Sequence, residues 1–90
     1  MNPYLQSLDE IKKLPPQEAI SHLNRYITDN PDSDEAFVER GLNYWKMGKR
    51  REAINDYHHA LTINPQSRAA MLIEYSKSIL DFYNKDLLNP

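Results

Sequence analysis

Three histidines, a group of carboxylates and one basic run are the side chains of this 90-residue chain with the reach to do chemistry. His58 and His59 are neighbours, and neighbours on a helix point about 100° apart, so the two cannot share one metal ion. His22 has Arg25 and Asp29 near it but no second ligand at the Glu-x-x-His or His-x-x-x-His spacing that helical sites use, so a satisfied or solvent-facing histidine is expected. Asp32, Asp34, Glu35 and Glu39 gather at what reads as a helix start, where the helix dipole favours negative charge, and this accounts for them without acid–base work. Cysteine is absent, which removes thiol catalysis, disulfides and cysteine-ligated zinc and fits a reducing compartment. Two glycines cannot build a phosphate-cradling loop, and no nucleophile stands beside an attendant base. The expectation is no catalytic residue, no metal, no cofactor and no enzymatic activity.

Binding is the remaining class of function, and composition narrows it. A net charge of −2 is too close to neutral for a nucleic-acid footprint. Lys49-Arg50-Arg51, with Lys46 just before, reads as a solvated turn between helices. The segment MNPYLQSLDEIKK shows no basic start followed by an apolar run, and nothing approaches the ~18 consecutive apolar residues of a membrane span, so a cytoplasmic chain with no membrane partner is expected. It begins with Met1 and carries no tag, as a natural start would. Six tyrosines, two phenylalanines and one tryptophan argue against disorder, and 90 residues make a single domain with a modest core.

The elements that must carry any binding surface are helices. Tyr4, Leu8 and Ile11 give an apolar stripe after Asn2-Pro3, and the spacing predicts a helix from there to Leu14-Pro15-Pro16, which stops it. A second helix is predicted from about Pro16 to Thr28, with Ala19, Ile20, Leu23, Tyr26 and Ile27 inward and Asp29-Asn30-Pro31 closing it. Asp32 or Ser33 caps a third, Glu35 standing where a capping box with Asp32 needs it; Phe37, Gly41, Tyr44 and Trp45 share a side. Gly48 marks a turn, and a fourth helix runs from about Arg50 to Ile63 with Ala53, Ile54, Tyr57, Ala60 and Leu61 inward. Ser67 caps a fifth, extending to roughly Lys85. Its residues Met71, Leu72, Ile73, Tyr75, Ile79, Leu80, Phe82 and Tyr83 are apolar well beyond one stripe, which calls for burial on more than one side.

The chain also repeats itself. Residues 17–41 slid by 34 places onto 51–75 match at Glu18/Glu52, Ala19/Ala53, Ile20/Ile54, Thr28/Thr62, Asn30/Asn64, Pro31/Pro65, Ser33/Ser67 and Ala36/Ala70. With Phe37, Gly41, Tyr44, Gly48, Ala53, Tyr57, Ala60 and Pro65 in their places, the central segment resembles the tetratricopeptide repeat. Arg40 departs from that pattern, which has an apolar residue there, and reads as an edge position. The first repeat matches best in its second helix; removing one residue in the Leu14-Pro15-Pro16 turn lets its first helix bury Tyr4, Leu8 and Ile11 rather than Gln6, Ser7 and Glu10.

The resemblance implies an all-α fold, a right-handed superhelix of antiparallel helix pairs with about five helices. It sets repeat one at about residues 1–32, repeat two at 33–66 and a capping helix at 67–85. It also implies a non-catalytic module that holds a peptide or helix of a partner protein in a concave groove, at Glu35, Val38, Glu39, Leu42, Trp45 and Lys46. Val38, Leu42 and Trp45 form an i, i+4, i+7 stripe away from the Phe37/Gly41/Tyr44 face, so this helix needs two covers; Trp45 meets either the fifth helix, a ligand, or a second copy of the chain. The places where some family members clamp a partner's C-terminal carboxylate fall at about Tyr4, Leu8, Glu39, Ala69 and Ile73. None is cationic, so chaperone tails are not expected as partners. The alternative is a homodimer formed through Ile79, Phe82 and Tyr83 of the last helix.

Overall fold

A computed structural model describes the backbone of residues 3–88 and the side chains of residues 3–80. All its regular structure among the described residues is helical: α1 (Leu8–Ile11), α2 (Pro16–Asp29), α3 (Asp34–Lys46), α4 (Arg50–Ile63) and α5 (Ala69–Leu88). Consecutive helices pack in order, α2 on α3, α3 on α4 and α4 on α5, so the chain forms a stack. Its radius of gyration of 14.4 Å exceeds the ~12 Å of a compact 90-residue domain, as an open array should.

Two turns of the same construction set the stacking. Asn30-Pro31-Asp32-Ser33 and Asn64-Pro65-Gln66-Ser67 lie 34 residues apart. In each, the serine N–H donates to the asparagine carbonyl, at 3.1 Å for Ser33 and 2.9 Å for Ser67. The serine hydroxyl then accepts from the first amides of the next helix, Ala36 at 3.3 Å and Ala69 at 3.1 Å. Proline stops one helix and serine starts the next, which is why the repeat is visible in sequence. Ser33 is therefore the cap of α3, and no capping box forms between Asp32 and Glu35; the Glu35 carboxylate is engaged by Arg68 instead.

The helix expected from Pro3 is shorter than its apolar stripe implied. It begins at Leu8 and lasts one turn. The twelve residues from Pro3 to Leu14 are at the length where an isolated helix is marginal, and α2 offers a competing partner. The Leu5 N–H donates to His22 Nδ1 at 2.9 Å, and Tyr4 meets the same imidazole edge-on at 5.3 Å between ring centroids. His22 is thus a satisfied, half-buried histidine that pins the N-terminal segment. The apolar register holds nonetheless: Ile11 is buried with Ala19 and Leu23, Leu5, Leu8, Leu14 and Tyr26 pack around them, and Gln6 and Glu10 face solvent.

The joint between α3 and α4 is the tightest in the molecule. Gly41 lies against Tyr57, so close that a Cβ there would fall 2.6 Å from Tyr57 Cε1, 2.9 Å from Cδ1 and 3.1 Å from the Ala53 carbonyl oxygen. Tyr57 is fully buried, with Ala53 and Ala60 on the same face, and burial pushes its phenol above the ordinary value. Gly48 closes the α3–α4 turn with φ of +78°, a conformation that costs other L-residues about 1–2 kcal/mol.

Arg40, read from the sequence as an edge residue, sits at the meeting of three helices. Its guanidinium donates from Nε to Asp56 Oδ2 and from Nη2 to Asp56 Oδ1, both at 2.8 Å, and from Nη1 to Asn24 Oδ1 at 3.0 Å. It also lies 5.4 Å from the Phe37 ring centroid and 5.9 Å from that of Tyr44. The hydrogen bond donated to Asp56 raises the guanidinium pKa against the opposing effect of burial. A fork-to-fork pair replaces the apolar contact the repeat pattern normally has here, and α2, α3 and α4 are tied at one point.

Two outcomes check this account by urea denaturation. Gly41→Ala is expected to destabilise the fold by about 1–3 kcal/mol, because the added methyl overpacks a ring that has no room to move. Arg40→Ala is expected to cost about 3 kcal/mol by leaving the Asp56 carboxylate buried and unpaired, whereas Arg40→Leu combined with Asp56→Leu recovers most of that loss. A double substitution no more stable than the single one would count against the pairing.

Candidate protein-binding groove

The groove residues expected on α3 separate into three groups. Val38 is fully buried, in one apolar cluster with Phe37, Tyr57, Ala69 and Ile73. It belongs to the core and lies out of a ligand's reach, a correction to its expected groove role. The reason is α5: its first turns supply Ala69 and Ile73 to the same cluster, covering the N-terminal end of the Val38/Leu42/Trp45 stripe.

Glu35 and Glu39, one turn apart and flanking Val38, form the second group. Arg68 Nη2 donates to Glu35 Oε2 at 3.1 Å and to Glu39 Oε2 at 2.5 Å, and Nε donates to Glu35 Oε1 at 3.2 Å. The Glu35 hydrogen bond is the larger cause that raises the Arg68 pKa, with burial opposing it and Glu39 adding to it. Glu39 is nearly buried, its side chain 12% exposed, while the Arg68 and Glu35 side chains are each 43% exposed. These carboxylates are committed to holding α5 on α3.

Leu42, Trp45 and Lys46 remain. Leu42 and Trp45 are half-buried, packed on the edge of the core cluster, and Lys46 is exposed. The Arg50 guanidinium lies 5.1 Å from the Trp45 ring centroid, a cation–π contact across the α3–α4 turn. Lys46, Lys49, Arg50 and Arg51 are all exposed, and among the described residues none of them forms an ion pair. The exposed part of the surface expected as a groove thus runs from a half-buried tryptophan into a cluster of exposed lysines and arginines.

Other expected residues fall elsewhere. His59 leans on Phe37, with centroids 4.1 Å apart. Ile79, expected in self-association, is half-buried; the Phe82 and Tyr83 side chains lie outside the described residues. Among the described residues, the exposed large apolar side chains of α5 are Met71 and Tyr75. The sequence reading missed Arg68 and Asp56. Their partners lie 29–33 and 16 residues away, and no local spacing announces such pairs.

Among the described residues the structure is an all-helical stack built from a repeated turn. Residues 34–67 match the family model of the tetratricopeptide repeat, and the five helices are consistent with a short array of such repeats. Repeats of this family mark protein–protein interaction modules and are generally non-catalytic scaffolds. No solved structure matches the chain. No helix among the described residues is long and apolar enough to cross a membrane.

Arg68→Ala is expected to destabilise the fold by about 1–2 kcal/mol, between the ranges for exposed and buried pairs, because Glu39 then stays desolvated beside Glu35. Adding Glu39→Gln should recover part of it, and the difference between single and double variants should shrink in about 1 M salt. Equal losses in both variants would show that Arg68 acts through packing alone.

Proposed function

We propose that the chain is an interaction module that holds a segment of a partner protein along the open part of α3, with Trp45 and Leu42 as the apolar grip. The single observation that supports this most is Trp45 itself: half-buried, seated on the core edge, and flanked by Arg50 and by lysines and an arginine that form no ion pair among the described residues. An amphipathic ring fixed at its base and partly exposed beside a cation is the kind of residue that dominates binding energy at interfaces. Lys46, Lys49 and Arg51 add a preference for a segment whose apolar residue is followed by acidic ones. Carboxylate-tail capture in the manner of co-chaperones is not part of this reading, since of its places Ala69 and Ile73 are buried and Glu39 is held by Arg68.

The test is affinity capture with the wild-type chain, Trp45→Ala and Lys46→Glu side by side. Trp45→Ala should weaken retention of the same partner by at least about tenfold, and Lys46→Glu should weaken it more at low salt than at high salt. Far-UV circular dichroism of both variants should match wild type. Loss of the helical signal in Trp45→Ala would place the residue in the core and sink the proposal.

A further inference from the structure

The far side of α5 leaves two large apolar side chains exposed among the described residues. Ala69, Ile73 and Ser76 face inward, whereas Met71 is 75% and Tyr75 62% exposed. Ser78, Glu74 and Lys77 are exposed beside them. Sliding α3 by the 34-residue period places Phe37 on Met71, Gly41 on Tyr75 and Tyr44 on Ser78. In α3 that face receives α4. In α5 no described residue covers the same face.

What could cover it is limited by Tyr75. At Gly41 even one added carbon would sit 2.6 Å from the Tyr57 ring, and at the matching place in α5 a whole phenol stands. A helix therefore cannot dock on α5 at the spacing used between α3 and α4, and a further repeat of the same kind does not fit. The occupant must pack around Tyr75 at a wider spacing. Charge chooses it: Glu74 and Lys77 are exposed on one side of the Met71/Tyr75/Ser78 stripe, and neither forms an ion pair among the described residues. A second α5 laid antiparallel across the first sets each Glu74 against the other copy's Lys77, twice by symmetry, whereas a parallel two-fold puts the charged edges of the two copies on opposite sides of the pair, where they cannot meet.

We infer that α5 pairs with α5 of a second copy of this chain, antiparallel, about a two-fold axis beside Tyr75. Each Tyr75 then packs against the opposite helix and each Met71 reaches past it. One helix face per copy is at the low end of interface size, below about 1,200 Å², so dissociation in the micromolar range is expected. The inference is independent of the groove reading, because the Trp45 face and the Tyr75 face belong to different helices.

Sedimentation velocity from about 1 to 100 μM tests it. The wild-type chain should pass from monomer to dimer over that range. Tyr75→Glu should weaken the dimer at least about tenfold with unchanged helicity, since the side chain touches little in the monomer. Glu74→Lys and Lys77→Glu should each weaken it, and the two together should restore it, because the exchange rebuilds both pairs with reversed sign. Trp45→Ala should leave it intact. A wild-type monomer throughout, a dimer indifferent to Tyr75→Glu, or a doubly exchanged variant no better than the singles would each overturn the proposal.

Discussion

The structure depends on how closely α3 and α4 approach at Gly41. With no Cβ there, the Tyr57 ring lies directly on the backbone of α3, and Ala53 and Ala60 keep the rest of the α4 face equally low. That approach seals the central apolar cluster, and neighbouring elements are built outward from it: α2 against one side of the pair, α5 against the other. A glycine inside a helix is unfavourable by about 1 kcal/mol against alanine, so its presence makes sense only as the condition for this contact. The fully buried side chains around the joint, Val38 and Tyr57 among them, each contribute about 1.5–3 kcal/mol.

Each side of the central pair is also fastened by one arginine. Arg40 joins α3 to α4 and α2 through Asp56 and Asn24; Arg68 joins α5 to α3 through Glu35 and Glu39. Both arginines use more than one acceptor, so each fixes relative orientation as well as distance. In a stack of short helices, apolar faces alone allow sliding along the axis; a fork seated on a carboxylate allows one register. The two ties therefore specify how the array is wound, even where their net contribution to stability is small.

The same packing decides what is left for binding. By drawing Val38 into the core and tying Glu35 and Glu39 to Arg68, α5 covers the N-terminal part of the Val38/Leu42/Trp45 stripe and leaves Leu42 and Trp45 half-buried and Lys46 exposed at the other end. Meanwhile α5 turns outward Met71 and Tyr75, which nothing in the chain's described residues covers. The candidate surfaces are thus what the core did not consume. They lie at opposite ends of the array's construction, one beside the central turn and one on the last helix.

The sequence by itself determined the local part of the fold. The Asn-Pro-x-Ser turns, the three- and four-residue apolar spacing and the glycine between aromatics act over one or two turns of chain, and they set α2, α4, the 34-residue period and the identity of the inward faces. Where the outcome rested on residues far apart, only the tertiary structure decided it. The Leu5 N–H finds His22 seventeen residues on, so an apolar stripe that reads as a helix stays mostly unwound; Arg40 finds Asp56, so a charge in an apolar place becomes a tie and not an edge. The groove was legible as a stripe, Val38, Leu42 and Trp45, but not as a surface. Period and propensity say which residues share a face of a helix; only the position of the next helix says which of them water can still reach.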